Sequence, residues 1–385
     1  MGHKKILFCA TVDYHFQAFH LPMMKWFKDR GWEVHVAASG NHPLEYTDKK
    51  YTIPIERSPF KVNNYHAYKA LKSIMLENHY SIIHSHTPLG GVLARLAART
   101  SRISQGTKSV YTAHGFHFCK GAPLKNWMLY YPVEWALSSL TDTLITINQE
   151  DFKLASSHHF FAKEIKHVHG VGVNVDRFTP ISEKEKLLRK QSLGYHPNDC
   201  LLFYAAEFNK NKNQQLLLKV MAKLKHRVPH VKLLLAGHGD DSACKLLSDK
   251  LGIRNCVTFM GLRDDIDYLL PTCDLAVASS IREGLPVNIM EAMSCELPIV
   301  ATVNRGHTEL IKNGVNGWII PKEQEELFVE KIIHLVTNNE LRKKYGSAGR
   351  KMMADYYCID QVVSELTDVY SKYMSEEGVQ QWAVQ

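Results

Sequence analysis

Short apolar runs alternate with longer segments of helical spacing along almost the whole chain, and this alternation constrains the fold most strongly. Parallel strands that are buried on both faces appear in a sequence as continuous apolar runs, and each needs a crossover helix before the next. The pattern therefore predicts an α/β protein built on parallel sheets. The predicted strands are 4–10, 33–38, 81–84, 108–113 and 143–147, followed by 200–206, 231–236, 256–260, 275–279 and 298–302.

The strands form two series, and a length of 385 residues suits two domains. The charged stretch 179–198, which carries turn residues at both ends, is interpreted as the interdomain connection. We therefore expect an N-terminal domain over 1–180 and a second domain over 181–360. The remainder, 361–385, is predicted to be an amphipathic C-terminal helix with a loose tail from Ser375, and 17–30 an earlier helix.

The formal net charge of +8 is unevenly distributed at these boundaries. Residues 1–180 contain 21 Lys and Arg against 13 Asp and Glu, whereas the rest of the chain contains 26 of each. The excess is too mild to indicate nucleic acid as a partner. Its concentration in the first domain favours contact with an anionic membrane surface.

Cysteine usage and hydropathy suggest the compartment. The eight cysteines include no Cys-x-x-Cys pair, which favours a reducing cytoplasm over a disulfide scaffold. No apolar run approaches the roughly 18 residues of a spanning helix. We expect a cytoplasmic protein that can lie peripherally on the inner face of the plasma membrane.

The most informative motif follows the predicted strand 275–279 and opens a helix. Backbone amides around Gly284 and Leu285 at this helix start can receive a phosphate. Glu283 lies in the loop and Glu291 lies within the helix, so that a ligand across the helix start can meet a carboxylate at each end. A phosphate site between two carboxylates, which accept hydrogen bonds from hydroxyl groups, suits a nucleotide sugar. The alternative, a helix-start acid and a solvated helix face, stays open on spacing alone.

This Glu-x7-Glu motif, after Cys273-Asp274 and the strand, resembles the donor-site motif of the family 4 retaining glycosyltransferases. In the first domain, Tyr111–Phe118 is similar to the acceptor-side loop of exopolysaccharide and capsule glycosyltransferases from Gram-positive bacteria. The resemblance implies the GT-B fold: two Rossmann-like parallel α/β domains facing a cleft, with the C-terminal helix packing back on the N-terminal domain. It continues through 9–16, 84–88, 236–240, 259–262, 298–302, 305–311 and 313–317.

The resemblance implies roles in binding the donor. Glu291 would bind the ribose hydroxyls, Glu283 the hydroxyls of the transferred sugar, and Lys212 the diphosphate, with Glu283 and Lys212 acting in catalysis. Glu207 stands where the family usually carries Arg, a departure for which Lys210 can compensate. The other donor-binding residues are Gly284, Leu285, Pro286 and Gly237.

On the acceptor side, the resemblance places His114 near the donor sugar as a third catalytic residue. It implies acceptor-binding roles for Asp13, His15, Phe16 and His117. His84 and His86 end a strand at the same mouth, where a structural role is equally compatible with their positions.

No metal and no cofactor are expected beyond the nucleotide-sugar substrate. Asp265-x-Asp267 begins a helix, where acids favour the helix dipole. The paired histidines, such as His84 and His86, lack nearby cysteine partners for zinc. The chain has no phosphate-binding G-x-x-x-x-G-K-[ST] loop, and no G-x-G-x-x-G follows the first strand, which excludes ATPases and dinucleotide oxidoreductases.

The stretch 120–137 is basic and aromatic, with Lys120, Lys125 and several Trp and Tyr residues. Its composition suits an interfacial helix or a groove for a lipid-linked acceptor. A core-packed helix interrupted at Pro132 is the alternative, and the sequence leaves both open.

The expected activity is transfer of a hexose or N-acetylhexosamine, with retention, from a nucleoside-diphosphate sugar, with UDP favoured. The expected acceptor is a growing saccharide on a polyprenyl diphosphate in exopolysaccharide or capsule biosynthesis. One alternative is a sugar-nucleotide epimerase of similar fold. Another is a non-catalytic scaffold subunit of a polysaccharide assembly complex, which the departure at Glu207 supports.

Overall fold

Two parallel sheets organise the chain in the computed structural model, which describes residues 4–380, with side chains to residue 374. The chain divides into two compact units. Unit 1 comprises the chain up to Gly172 together with the segment from Asp360, and unit 2 comprises Val173–Ile359.

Unit 1 contains a seven-stranded sheet of order β3-β2-β1-β4-β5-β6-β7 in which every pairing is parallel. Its strands are β1 (Lys5–Val12), β2 (Glu33–Ser39), β3 (Lys49–Thr52), β4 (Ile82–His86), β5 (Lys108–Ala113), β6 (Thr143–Thr146) and β7 (Glu164–His167). Its helices are α1 (Tyr14–Phe19), α2 (Leu21–Lys28), α3 (Asn63–Asn78), α4 (Pro88–Ala97), α5 (Arg99–Ser104), α6 (Leu124–Leu137), α7 (Gln149–Ser157) and the last helix of the chain, which begins at Ile359.

Unit 2 contains a six-stranded parallel sheet of order β10-β9-β8-β11-β12-β13. Its strands are β8 (Cys200–Ala205), β9 (Val231–Ala236), β10 (Val257–Gly261), β11 (Leu275–Ala278), β12 (Ile299–Thr302) and β13 (Gly317–Ile320). Its helices are α8 (Glu183–Ser192), α9 (Gln214–Arg227), α10 (Ser242–Lys250), α11 (Ile266–Thr272), α12 (Val287–Ser294), α13 (Arg305–Leu310), α14 (Glu325–Val336) and α15 (Asn339–Met352).

Both sheets reverse their strand order beside their first strand. In unit 1 the chain proceeds outward from β1 to β3 and then returns to the other side of β1 as β4. In unit 2 it proceeds from β8 to β10 and returns beside β8 as β11. In open parallel sheets, ligands bind at the carboxyl ends of the strands where the order reverses. The topology therefore marks one candidate site in each unit.

Strand β1 shows why the sheet of unit 1 is buried on both faces. Its alternate residues enter two separate hydrophobic clusters, with Phe8 in one and Leu7 in the other. Helix α2 covers the first face and helices α3 and α4 cover the second. Since each face needs an apolar cover, the strand is apolar throughout.

The final helix, α16 (Ile359–Gln380), completes the core of unit 1. Val369 and Tyr370 are buried, and the Tyr370 ring lies 4.8 Å from that of Phe27. The Tyr370 hydroxyl also contacts Nδ1 of His84. The expected packing of this helix on the N-terminal domain is confirmed. The helix extends past Ser375, where we predicted a tail to begin, and 381–385 lie outside the described residues.

The units meet in sequence earlier than predicted, after Gly172 rather than after residue 180. The stretch 179–198, interpreted as a connection, contains helix α8 and belongs to unit 2. Its Lys190 is buried and its Nζ lies 2.7 Å from Oδ2 of Asp274 at the start of β11. A charged run was mistaken for a linker because one of its charges is buried in an ion pair.

The sequence analysis did not predict three strands, β3, β7 and β13, and all three lie at sheet edges. An edge strand has one free side and does not need a continuous apolar run. The predicted helix 17–30 is divided at His20 into α1 and α2, and it ends at Lys28. Pro22 lies at the start of α2, where a missing amide costs nothing.

The uneven charge distribution does not survive the observed boundaries. Unit 1 contains 21 Lys and Arg against 17 Asp and Glu, and unit 2 contains 26 against 22, so each carries a net +4. The segment from Asp360 brings five acidic residues and one Lys to unit 1. Net charge therefore does not single out unit 1 for contact with an anionic membrane surface. In the described part of the chain, no helix is both long and apolar enough to span a bilayer.

Replacing Tyr370 tests the contribution of α16 to unit 1. We expect Tyr370→Ala to lower the free energy of unfolding by about 3–5 kcal/mol, because it opens a cavity and unpairs His84. Tyr370→Phe should cost about 1 kcal/mol, the loss of one hydrogen bond. Urea denaturation of the full chain measures both. Ser371→Ala, on the exposed side of the same helix, is the control and should leave the transition unchanged.

Candidate functional site

In unit 2 the loops after β8 and β11 are joined directly at the reversal of strand order. The amide of Ile281 donates to the carbonyl oxygen of Asn211 at 2.8 Å, and the Asn211 side chain donates to the carbonyl oxygen of Arg282 at 2.9 Å. The Ser279 hydroxyl donates to the carbonyl oxygen of Lys212 at 2.8 Å. These bonds fix the two loops to one another.

The joined loops bring Lys212 and Glu283 together. Nζ of Lys212 lies 2.5 Å from Oε1 of Glu283, and the side chains are 23% and 14% exposed. The structure thus pairs two residues that the sequence placed 71 positions apart in one predicted site. A cation and a carboxylate held side by side can bind a diphosphate and the hydroxyls of a sugar.

Glu291 is not on a solvated helix face. It lies on α12, and burial raises the pKa of its carboxyl from 4.5 to about 7, against the opposing effect of nearby Arg177. Arg177 itself pairs with Asp267 at 2.9 Å. Asp265 occupies the N-cap position of α11, but its carboxylate binds Arg263 instead of capping the helix.

The predicted phosphate-binding loop leads directly into α12. Gly284 is half-buried, Leu285 is buried, and Pro286 occupies the N-cap position, one residue before the helix rather than in its first turn. The backbone amides at this end of α12 lie at the positive end of its dipole.

Sequence reasoning assigned no role to Arg305 and Gly306, which support this loop. Nε of Arg305 donates to the carbonyl oxygen of Glu283 at 3.1 Å. A Cβ on Gly306 would lie 2.8 Å from Cβ of Glu283 and 2.9 Å from the carbonyl oxygen of Gly284. The close approach of α13 therefore requires glycine. Arg305 and Gly306 lie in the segment 305–311, which carries part of the resemblance. That was the sequence signal that could have identified them.

The other predicted donor residues lie on neighbouring loops. Glu207 and Lys210 follow β8 and are exposed, and Oε1 of Glu207 lies 3.9 Å from Nε2 of His238. Gly237 follows β9 with φ of 151°, and a Cβ there would lie 2.0 Å from the carbonyl oxygen of Ala206. Gly237 thus allows the loops after β8 and β9 to lie in contact.

At the corresponding reversal in unit 1, four histidine rings converge. We call this group the histidine cluster: His15 on α1, His20 between α1 and α2, His86 at the end of β4, and His114 after β5. Nε2 of His15 lies 3.3 Å from Nε2 of His114 and 3.1 Å from Nε2 of His20, and Nδ1 of His86 lies 3.2 Å from Nε2 of His114. Burial lowers the pKa of His15 to about 4 and those of the other three well below the usual range.

Two predicted acceptor-binding residues are buried and make structural contacts. Phe16 is fully buried in the core, 6.2 Å from the ring of Phe8. Asp13 is buried, and its Oδ2 lies 2.5 Å from Nζ of Lys50 and accepts the amide of His42 at 2.8 Å. Burial opposes its charged form, but Lys50 and the amide outweigh burial and hold the pKa of Asp13 below its usual range.

His15 and His117, by contrast, line a large cavity in unit 1. Its volume is about 960 Å³, and its walls are mostly apolar. The stretch 120–137 contributes to it through α6, which is continuous through Pro132. This helix buries Glu134 against Arg95 at 2.8 Å and leaves much of its apolar surface exposed. Apolar residues on the walls include Val62, Leu93, Leu96, Phe116, Leu129 and Val133.

The pKa of Glu291 yields a test of its burial. The folded chain binds this proton more tightly than the unfolded chain, so the resulting stabilisation is complete below pH 4.5 and is lost as pH rises through about 7. Relative to wild type, Glu291→Gln should therefore gain free energy of unfolding between pH 4.5 and 7 and level off above. Urea denaturation across this range measures the difference. The exposed Glu323 provides the control, since Glu323→Gln should show no such trend.

The sequence matches two family models, one in each unit. Residues 186–352 match the model described as glycosyl transferases group 1, and residues 5–148 match the model described as glycosyl transferase 4-like. The matched ranges include both reversals of strand order, and therefore both candidate sites.

Individual relatives agree with these matches. The chain is 50% identical over 372 residues to a Bacillus subtilis (strain 168) protein named as a glycosyltransferase, EpsD, covering 96% of this chain and 97% of the relative. It is 24% identical over 306 residues, 78% of each chain, to the UDP-Gal:alpha-D-GlcNAc-diphosphoundecaprenol alpha-1,3-galactosyltransferase of Escherichia coli.

A solved structure shares the fold. The crystal structure of HepE from Anabaena in complex with UDP and glucose matches with a TM-score of 0.78 at 20% identity, covering 96% of this chain and 99% of that one. Because half of its residues are identical to those of a named glycosyltransferase over nearly the full length, the chain belongs to the family 4 glycosyltransferases and has the GT-B fold.

Proposed function

We propose that this chain transfers a hexose or an N-acetylhexosamine from a UDP-sugar to a saccharide carried on a polyprenyl diphosphate, during exopolysaccharide or capsule biosynthesis. The observation that carries the proposal is the Lys212–Glu283 pair at the strand-order reversal of unit 2. It places one cation and one carboxylate where a parallel sheet binds its ligand.

In the proposed donor complex, the two partners separate onto different parts of the ligand. Nζ of Lys212 binds the diphosphate, and the Glu283 carboxylate accepts hydrogen bonds from the hydroxyls of the sugar. The ion pair holds both side chains in place before the donor arrives, so little rotamer entropy is lost on binding. The Glu291 carboxylate accepts hydrogen bonds from the ribose hydroxyls, and these bonds stabilise its ionised form.

The choice of UDP rests on similar proteins. The Escherichia coli relative is named for UDP-Gal, and the HepE structure contains UDP and glucose. We propose that Lys212 and the amides at the start of α12 balance the diphosphate charge without a metal ion.

The proposed reaction retains the anomeric configuration, as the resemblance to retaining enzymes implies. The acceptor hydroxyl attacks the anomeric carbon from the side of the departing diphosphate. The bond from that carbon to the phosphate oxygen breaks as the new glycosidic bond forms, and the departing phosphate takes the proton of the hydroxyl. Lys212 stabilises the charge that develops on this phosphate.

The cavity in unit 1 supports a lipid-linked acceptor. Its apolar walls offer a favourable environment for a polyprenyl chain. Around it, Val62 is 73% exposed, Leu124 74% and Met128 72%, an apolar surface that suits contact with a bilayer. The Escherichia coli relative is named for an acceptor on diphosphoundecaprenol. We propose that this surface, rather than net charge, holds the protein peripherally on the inner face of the plasma membrane.

Glu283→Gln is the direct test of the donor site. We expect it to lower kcat about 100- to 1000-fold, because the amide cannot replace a carboxylate aimed at the transferred sugar. The assay supplies UDP-sugars and a polyprenyl-diphosphate saccharide, and proton NMR of the product reads the anomeric configuration. Glu323→Gln serves as the exposed, matched control.

Three outcomes would contradict parts of this proposal. Wild-type turnover by Glu283→Gln would remove Glu283 from the reaction. An inverted product would exclude attack from the side of the leaving group. Conversion of the sugar nucleotide without acceptor would favour the epimerase alternative.

The acceptor proposal is tested by placing a charge in the cavity. Val62→Asp and Leu129→Asp should each lower kcat/KM for the polyprenyl-linked acceptor about tenfold or more, because the new carboxylate must be desolvated when the lipid chain covers it. They should leave kcat/KM unchanged for a water-soluble acceptor with a short alkyl chain. Ile103→Asp is the control, since Ile103 is 84% exposed and is not among the residues that line the cavity. Equal losses with both acceptors would refute a lipid-binding cavity.

A further inference from the structure

The histidine cluster brings one nitrogen from each of four rings within 4.8 Å of the others. The rings come from one helix, the end of one strand and two loops at the strand-order reversal of unit 1. His20 and His86 are buried, and His15 and His114 are half-buried. Neither the proposed donor site in unit 2 nor the proposed acceptor cavity in unit 1 explains why the four rings converge.

Hydrogen bonds alone cannot account for all the nitrogen–nitrogen contacts of the histidine cluster. Four nitrogens form a chain with three contacts: His20 to His15 at 3.1 Å, His15 to His114 at 3.3 Å, and His114 to His86 at 3.2 Å. Each imidazole nitrogen carries either one proton or one lone pair in the ring plane, so it makes one good hydrogen bond. The two central nitrogens each have two contacts. One contact in the chain is therefore left without a well-directed hydrogen bond.

The neighbouring His84, by contrast, has a hydroxyl partner for each of its two ring nitrogens. Its ring centre lies 4.1 Å from that of His86, but its Nε2 contacts the Thr112 hydroxyl at 2.8 Å and its Nδ1 contacts the Tyr370 hydroxyl. His86 differs, because its Nε2 is buried and has no hydrogen-bond partner. The His86 ring can therefore turn either nitrogen toward the cluster without losing a bond.

A metal ion satisfies all four lone pairs at once. Zinc binds imidazole nitrogen at about 2.0–2.1 Å, which in a tetrahedral site places the nitrogens about 3.4 Å apart. The three observed contacts, at 3.1–3.3 Å, are close to this spacing. Small rotations of the side chains would bring the remaining pairs, at most 4.8 Å apart, to the same separation.

We propose that the histidine cluster binds one divalent transition-metal ion, with zinc as the ion whose tetrahedral geometry fits. Imidazole suits zinc, copper, iron and nickel, and square-planar copper fits a cluster of converging rings less well. Four protein ligands make a closed site, which is typical of a structural rather than a catalytic ion. The ion joins α1, β4 and the loop after β5 beside the acceptor cavity.

The site revises two expectations from the sequence. Zinc was discounted because the paired histidines lack cysteine partners, but histidines from separate segments can supply every ligand. A bound ion would also occupy Nε2 of His114, a residue that the resemblance places near the donor sugar. The metal site and the catalytic role expected for His114 are therefore competing assignments for one side chain.

Cobalt spectroscopy of the full-length, tag-free chain tests the proposal. After removal of metals with a chelator, Co²⁺ titration should produce the visible absorption of a tetrahedral site and saturate at one ion per chain. One equivalent of Zn²⁺ should abolish the band. His15→Ala and His114→Ala should each weaken Co²⁺ affinity about 100-fold or more. His117→Ala, an exposed histidine of the same loop as His114, is the matched control and should bind as wild type does.

Thermal unfolding separates loss of the site from loss of the fold. Zn²⁺ should raise the Tm of wild type and of His117→Ala, since a ligand that binds the folded state stabilises it. It should not raise the Tm of His15→Ala or His114→Ala, whose metal-free Tm should be close to that of metal-free wild type. Absence of the cobalt band in wild type, or equal affinity in the His15 and His114 variants, would overturn the proposal. These readouts involve no sugar transfer, so they stand or fall independently of the proposed function.

Discussion

The reversal of strand order beside the first strand of each sheet is the constraint on which the rest of the structure depends. All strands are parallel, so every carboxyl end lies at the same edge of its sheet. In unit 1, α2 covers one face of the sheet and α4 covers the other, so the loops between β1 and β4 diverge at that edge and leave a space. Lys212 with Glu283 in unit 2, and His15 with His86 in unit 1, lie at or just after the carboxyl ends of the strands that flank a reversal.

Ion pairing and burial explain how unit 2 accommodates its partly buried acidic groups. Glu283 is neutralised by Lys212, and Asp267 by Arg177. Glu291 has no such close partner, and burial raises its pKa to about 7. One carboxylate is therefore held ready by an ion pair, whereas the other becomes ionised near neutral pH. Both arrangements lower the free-energy cost of keeping acidic groups partly buried.

The sequence allowed every interior strand of the two sheets to be predicted, but only one of the four edge strands, β10. Interior strands such as β1 and β8 are continuous apolar runs and were recognised, whereas β3, β7 and β13 lie at edges and lack that signal. Glu283 and Lys212 were predicted through a motif and a resemblance, and the structure pairs them. The histidine cluster was missed because its members are distant in sequence. Phe16 and Asp13, predicted to bind the acceptor, are buried in the core and in an ion pair, contacts that the sequence did not indicate.

The position of α16 affects how the chain can fold as it is synthesised. The Tyr370 hydroxyl contacts the ring of His84, 286 positions earlier, so the first unit lacks part of its core until the chain has been synthesised through α16. Domains generally fold as units, the N-terminal one first. Here the second unit is complete in sequence before the first. The face of unit 1 that α16 covers is apolar, so this face stays exposed to non-native association until α16 has been synthesised and packs against it.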